Sequence, residues 1–274
     1  MPDVLTEKLP SGVMIVTFNR PDALNTLGGT LLEDFGAAMD EARRDGNVRA
    51  VLVTGAGRAF CAGADLSARG SSSQNGSGQN GSAPAPLAFS RRVTSMQDLH
   101  GNLAGAAFHC DKPTIALVNG AAAGAGFGVS LACDFRIASE QALFVSAFAR
   151  IGLSGDNGIT YGLARLVGRS TALEILMLSP RITAAQALTL GLVRSVVPPE
   201  DLMSAGVEFG EQLAAGPTQA FAIMKRNLEL AYISTYQQNL DQEAFTIAVN
   251  GVVGESAGAI QAFLDKRQPD FRGS

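Results

Sequence analysis

The sequence predicts an α/β fold over residues 1–199, followed by a helical region over residues 200–274. Short β-branched segments alternate with amphipathic segments along the first part, which is typical of strands joined by helices. Four helical segments then follow with hardly a strand signal, so we place a domain boundary near residue 200. Of the 274 residues, 46% are hydrophobic and 17% are charged, which is enough apolar material for a large core.

The first elements follow from the periodicity of the apolar residues. Residues 13–19, VMIVTFN, alternate and are rich in β-branched side chains, so they predict a strand. Residues 27–45 have helical periodicity, and AVLVTG at 50–55 predicts a short buried strand. We interpret AGRAFCAGADL, residues 56–66, as a loop that leads into a helix start.

Residues 71–86, SSSQNGSGQNGSAPAP, form a low-complexity segment. Its composition predicts a flexible surface loop. It is either a lid over a ligand or a neutral insertion, and composition favours the insertion.

The remaining core elements alternate in the same way. A helix is predicted at 87–110, and further strands and helices follow at 114–118, 135–139, 142–146, 158–168, 171–179 and 194–198. A capped helix lies before the last of these strands, with Thr183 as its N-cap and Gly191 just beyond its end.

Charge and cysteine content exclude several classes of protein. The net charge is −4 and the pI about 5.3, which argues against a nucleic-acid partner. Three cysteines in apolar surroundings indicate reduced thiols, and with no secretory signal or membrane span expected, we predict a cytoplasmic protein.

The sequence offers little for metal or triad chemistry. The two histidines, His100 and His109, are expected to serve packing or surface roles, and no CxxC motif accompanies them. We therefore expect no metal site. The absence of a GxSxG motif also disfavours a Ser-His-Asp hydrolase.

Residues 118–135, VNGAAAGAGFGVSLACDF, combine glycines and alanines after a predicted strand. The spacing GxGxG departs from the GxGxxG dinucleotide fingerprint, so a nicotinamide site is disfavoured. Small residues at a helix N-terminus suit an oxyanion, and equally the close packing of helix on strand. The segment FCAGADL, residues 60–66, has the same character, and two N–H groups from two such loops can converge on one thioester enolate oxygen.

Four sequence blocks, taken in series, resemble the enoyl-CoA hydratase/isomerase (crotonase) family. They are RPDALNTL, AFCAGADL, NGAAAGAGFGVSLACDFRIAS and ARIGLSGDNGITYGLARLVG. The resemblance implies a crotonase-like spiral of ββα units with a C-terminal helical oligomerisation region. It also implies an acyl-CoA substrate, no separate cofactor, and self-association as a trimer or a dimer of trimers. In motif the sequence is most similar to the family branch of 1,2-epoxyphenylacetyl-CoA and 3-enoyl-CoA isomerases.

The resemblance also assigns roles by position. The backbone N–H groups of Ala64 and Ala125 would bind the thioester oxygen. The residues implied in substrate and CoA binding are Asp22, Ala23, Ala62, Gly63, Asp65, Leu66, Gly124 and Phe148. For Asp65 a helix cap is the simpler explanation, and for Lys266 or Arg267, which could meet CoA phosphate, a solvated charged face is.

Departures from the family pattern decide which reaction is expected. The two glutamates of the family's hydratases would fall at Gly128 and Phe148, which cannot transfer a proton. Asp156 remains, at the position where some isomerases of the family carry a single acid, and we favour an isomerase over a hydratase. An aryl-CoA dehalogenase-like enzyme and a non-catalytic acyl-CoA binder rank lower. For Asn157, a helix cap is favoured over orienting the carboxylate.

Overall fold

The structure, a computed structural model, describes residues 2–64, 86–253 and 255–271. Two sheets organise this part of the chain. The predicted loop at 71–86 lies outside these residues except for Pro86, which opens a helix. The candidate residues Asp65 and Leu66 also lie outside them.

The larger sheet has six strands in the order β1-β2-β3-β5-β7-β10. β1 is antiparallel to β2, and the other neighbours are parallel. β3 and β5 are buried along their whole length, as expected for central parallel strands covered on both faces. The six strands are β1 (Val4–Lys8), β2 (Val13–Phe18), β3 (Ala50–Gly55), β5 (Thr114–Val118), β7 (Phe135–Ser139) and β10 (Ser195–Val197).

The smaller sheet has four short strands in the order β4-β6-β8-β9. They are β4 (Ala59–Cys61), β6 (Ala121–Ala123), β8 (Leu143–Val145) and β9 (Ile182–Thr183). β4, β6 and β8 are parallel, and β9 is antiparallel to β8. The expectation that residues 56–66 form a loop is wrong, because Ala59–Cys61 form β4. The strands β1, β6 and β9 were not predicted.

Helices follow these strands in a repeating order. They are α1 (Leu31–Arg44), α2 (Pro86–His100), α3 (Ala125–Ala132), α4 (Ile159–Leu178) and α5 (Ala184–Thr189). α2 continues through a π-helical turn, Gly101–Gly105, into a short helix, Ala106–Phe108. α4 is broken at Gly168, whose φ is +74°, and this confirms the two helices predicted there.

The strands and helices combine into successive ββα units. β3-β4-α2, β5-β6-α3 and β7-β8-α4 each send one strand into the larger sheet and the next into the smaller sheet. The predicted crotonase-like spiral is therefore confirmed. Because equivalent strands stack side by side, the turns after β4 and β6 lie next to each other.

Four helices follow residue 200 in the described chain, as predicted: α6 (Leu202–Ala214), α7 (Thr218–Ala231), α8 (Tyr236–Val253) and α9 (Ser256–Leu264). α6 packs on the outer face of the larger sheet, against Leu52 and Leu117 among others. A methyl group on Gly206 would overlap the Leu117 side chain, so this glycine lets helix and sheet approach closely.

No single helix among residues 2–64, 86–253 and 255–271 has the length and apolar character needed to span a membrane. α8 and α9 meet those criteria only when taken together, and they are bent by 79° at their junction.

Candidate active site

The end of β4 and the start of α3 lie side by side. Gly63 has a φ of +88°, and a methyl group on it would lie 2.7 Å from the Ala123 carbonyl oxygen and 3.5 Å from the Ala125 nitrogen. A methyl group on Gly126 would overlap the Cys61 carbonyl. Glycine at these two positions therefore brings the two backbones together, as the small-residue pattern predicts.

Two backbone N–H groups at this junction have no hydrogen-bond acceptor among the described residues. Ala125 is the first residue of α3, so its N–H has no acceptor within the helix. No described residue accepts a hydrogen bond from the N–H of Ala125 or of Ala64, whereas the Gly124 N–H bonds the Val145 carbonyl at 2.9 Å. Two such donors and the positive end of a helix dipole can stabilise negative charge that develops on an oxygen.

The segment 20–27 supports β4 from the other side. The Ala62 N–H bonds the Leu24 carbonyl at 3.1 Å, and the Leu27 N–H bonds the Gly63 carbonyl at 2.8 Å. Asp22, which is exposed, and Ala23, which is half-buried, lie in the 3-10 helix Pro21–Ala23 at the start of this segment. The structure thus places these two predicted CoA-binding residues in the segment that lies along Ala62–Ala64.

Asn25 holds this segment in place, and the sequence analysis missed it. It is fully buried with a φ of +56°. Its side-chain nitrogen donates to the carbonyls of Ala56 (3.0 Å) and Ala59 (2.8 Å), and its side-chain oxygen accepts from the Arg20 N–H (2.8 Å). Its place in the block RPDALNTL was the available signal.

Phe148 connects the first turn of α3 with the loop that carries Asp156. Its buried ring lies 3.7 Å from where a methyl group on Gly124 would stand, and 3.9 Å from the same point on Gly155. The predicted site residues Gly124 and Phe148 are therefore neighbours, and Asp156 follows directly after Gly155.

Asp156 is half-buried and is hydrogen-bonded by its neighbour. The Asn157 side-chain nitrogen donates to Asp156 Oδ1 at 3.0 Å. The N-cap of α4 is Gly158, with no side-chain capping bond, so the expectation that Asn157 caps a helix is wrong. Asn157 orients the carboxylate instead.

The backbone of Asn157 also occupies the space beside Gly128. A methyl group on Gly128 would lie 2.5 Å from the Asn157 carbonyl oxygen and 2.9 Å from its Cβ. A longer side chain at position 128 therefore has no room unless the Asp156–Asn157 loop moves.

Other reactive groups near the junction are held in inert forms. Burial raises the pKa of the Cys61 thiol to about 11, against the opposing effect of a hydrogen bond from the Gly63 backbone, so this thiol is neutral near pH 7. Within the described segments, no three His, Cys, Asp or Glu side chains are grouped as metal ligands would be. Away from the junction, the Arg267 side chain, which is exposed beyond α9, forms an ion pair with Asp265 at 3.6 Å.

A cavity of about 910 Å³ lies beyond Asn157, between α2, α4 and α7. His100 and His109 line it, and the buried His100 Nε2 has no hydrogen-bond partner among the described residues. Arg165 lies over the rings of Tyr161 and Tyr232 at 3.2 and 4.6 Å from their centroids. Ala64, Ala125 and Asp156 do not line this cavity, and of the polar residues at the Asp156 loop only Asn157 does.

Comparison with known proteins gives this arrangement a family. The family model described as enoyl-CoA hydratase/isomerase matches residues 8–274. The chain belongs to the enoyl-CoA hydratase/isomerase family.

Relatives and solved structures of the family match over almost the whole chain. A protein of Rhodobacter capsulatus named "Probable enoyl-CoA hydratase" is 35% identical over 97% of this chain and 96% of its own length. The 1,2-epoxyphenylacetyl-CoA isomerase of Escherichia coli strain K12 is 33% identical over 100% of both chains. The crystal structure of an enoyl-CoA hydratase from Polaromonas sp. JS666 superposes with a TM-score of 0.87, at 32% identity over 98% of this chain and 99% of its own.

The two positions that the resemblance assigns to hydratase glutamates are Gly128 and Phe148 in this chain. Gly128 packs against Asn157, and the Phe148 ring fills the space between Gly124 and Gly155. Asp156 lies between Gly155, which approaches the Phe148 ring, and Asn157, which packs against Gly128.

Proposed function

We propose that this protein is an enoyl-CoA isomerase that moves a double bond from the 3-position to the 2-position of an acyl-CoA. The observation that carries the proposal is Asp156 in a loop packed on Phe148 and α3, together with glycine and phenylalanine at the two hydratase positions. The Ala64 and Ala125 amides, which no described residue accepts from, add two donors. Such an isomerisation needs one proton removed at C2 and one delivered at C4, and one base placed between them performs both transfers.

The two amides and the carboxylate divide the work. The Ala64 and Ala125 N–H groups hold the thioester oxygen as charge develops on it, which contributes roughly 10²–10³-fold per donor. Asp156 removes the C2 proton, the dienolate forms, and the same carboxyl group returns a proton at C4. General acid–base catalysis of this kind contributes roughly 10²–10⁴-fold.

The remaining predicted site residues serve binding in this proposal. Among the described residues, those that line the CoA path are Asp22, Ala23, Ala62, Gly63 and Gly124, and Phe148 is an apolar wall at the reacting carbons. The resemblance adds Asp65 and Leu66, which lie outside the described residues. The substrate is itself a coenzyme A thioester, and the reaction needs no cofactor and no metal.

An assay of purified wild type and Asp156→Asn with a 3-enoyl-CoA and a 2-enoyl-CoA tests this, with products followed by ultraviolet absorbance and mass. We expect wild type to convert the 3-enoyl into the 2-enoyl compound and the variant to be slower by at least ~10²-fold. Asp40→Asn is the control, because Asp40 is a half-buried carboxylate on α1 whose ion-pair partners among the described residues are Arg43 and Arg44. Asp156→Asn activity equal to wild type would overturn the assignment.

A hydratase is the second candidate, favoured by the name of the R. capsulatus relative. In the same assay, a hydratase would convert the 2-enoyl-CoA substrate into a product that is heavier by one water. Asp156 would then act on the attacking water.

We also propose that the protein acts in the cytoplasm as a trimer or a dimer of trimers, without nucleic-acid or membrane partners. The large apolar side chains that α7–α9 expose support self-association.

A further inference from the structure

Two asparagines at the candidate site have a left-handed backbone conformation, and their side chains bond to different kinds of group. Asn25 and Asn157 are both buried, with φ of +56° and +49°, a backbone region that asparagine tolerates better than most residues. Asn25 bonds only backbone atoms, whereas the Asn157 amide is directed at the Asp156 carboxylate.

The hydrogen bond from Asn157 makes the two oxygens of Asp156 unequal. Oδ1 accepts the Asn157 side-chain N–H at 3.0 Å, and no group in the described part of the chain bonds to Oδ2. An ionised carboxylate only accepts hydrogen bonds, so the Asn157 nitrogen and not its oxygen must face it.

We propose that Asn157 is the positioning residue that selects Oδ2 of Asp156 as the oxygen that takes and returns the proton. This rests on the proposed function, since it names the atom of Asp156 that acts in it. When Oδ2 takes the C2 proton, Oδ1 becomes the carbonyl oxygen of the acid and still accepts from Asn157. The bond therefore persists in both protonation states, and the carboxyl group does not rotate between removal at C2 and delivery at C4.

The backbone of Asn157 is held in a packed turn, and its side-chain oxygen has no hydrogen-bond partner among the described residues. It is 1% exposed, and its backbone carbonyl packs against Gly128 of α3. The Ile159 N–H bonds the Asp156 carbonyl at 3.1 Å, which closes the turn that contains both residues. A carboxylate held by so constrained a donor is pre-oriented, and misplacement by about 1 Å can cost roughly 10²-fold in rate.

Asn157→Gly tests the proposal, because glycine adopts the left-handed backbone readily and removes the side chain that carries the amide. Four quantities are measured: kcat, the Kd for a saturated acyl-CoA, the melting temperature, and the rate at which the C2 protons of that acyl-CoA exchange in heavy water. We expect kcat and C2 exchange to fall by roughly 10- to 100-fold, with Kd and melting temperature near wild type. Asn25→Gly is the matched variant, and we expect it to lower the melting temperature and weaken acyl-CoA binding.

Two results would overturn the positioning role. One is wild-type kcat and exchange in Asn157→Gly. The other is a joint loss of kcat, binding and melting temperature of the kind expected for Asn25→Gly, which would mean a structural role only. Asp156→Asn is measured alongside: if its C2 exchange equals that of wild type, the proposed function fails and this inference with it, whereas loss in Asp156→Asn with no change in Asn157→Gly rejects the inference alone.

Discussion

Gly128 shows how a missing side chain shapes the candidate site at the scale of single residues. The resemblance gave this position to a glutamate, and its glycine is what lets the Asp156–Asn157 loop lie against α3. The lack of a side chain at position 128 therefore makes room for the loop that carries Asp156.

Gly128→Ala should destabilise the protein and slow it. The added methyl group would lie 2.5 Å from a backbone oxygen of Asn157, so the loop must shift, at a cost of about 1–3 kcal/mol in the free energy of unfolding. Because the loop carries Asp156, we expect kcat to fall as well. Urea unfolding and the isomerase assay measure the two effects.

The matched control for Gly128→Ala is Gly46→Ala. No atom lies within 4 Å of a methyl group on Gly46, and we expect a change in unfolding free energy within about 0.5 kcal/mol. Wild-type stability and activity in Gly128→Ala would contradict the packing of the loop on α3.

The close approach of the two loops was predictable from the sequence, because it depends on small residues. Small residues at 62–64 and 124–126 indicated close approach, and the structure brings Gly63 to Ala125. Asn157 was misjudged because turn propensity favours a cap equally well, and only the fold decides which neighbour its amide faces. Asn25 was missed because its partners are backbone carbonyls 31 and 34 residues away.

The strands of the larger sheet were predicted apart from β1, whereas of the four described strands of the smaller sheet β8 alone was predicted. β2, β3 and β5 are apolar runs of five or six residues, long enough to show a pattern. β4, β6 and β9 have three residues or fewer, and their pairing comes from the stacking of successive ββα units. Local periodicity is a weak signal over two or three residues.

The capping box of α5 provides a prediction at the scale of an element. The Thr183 hydroxyl accepts from the Gln186 N–H, and the Gln186 side chain accepts from the Thr183 N–H, as the sequence predicted for this N-cap. Thr183→Ala should lower the free energy of unfolding by about 1 kcal/mol and leave kcat unchanged. Thr189→Ala, in the last turn of the same helix, removes only an exposed bond to the Ala185 carbonyl and should have less effect. Equal losses in thermal unfolding from the two variants would show that the cap contributes nothing special.

At the scale of the whole molecule, α7–α9 expose far more apolar surface than a stable monomer usually carries. The exposed side chains of these helices and of the turn between α7 and α8 include Met224, Leu228, Tyr232, Ile233, Tyr236, Phe245, Ile247, Val252, Ile260, Phe263 and Leu264. Ile233 and Phe263 are 79% and 81% exposed, so a single chain leaves them in water. Burial of such side chains contributes about 1.5–3 kcal/mol each, which favours self-association through these helices.

We therefore expect wild type to sediment with the mass of three or six chains, and Ile233→Glu combined with Phe263→Glu to shift it to single chains. A charge at either position costs free energy when a second chain covers it and nothing in the isolated chain. Leu188→Glu is the control, since Leu188 is a 45% exposed residue on α5, outside the C-terminal helices. Analytical ultracentrifugation at several protein concentrations measures all three. If wild type is monomeric, the apolar face of α7–α9 does not bind a second copy, and the prediction fails. If Leu188→Glu dissociates as readily as the double variant, the interface lies elsewhere on the molecule.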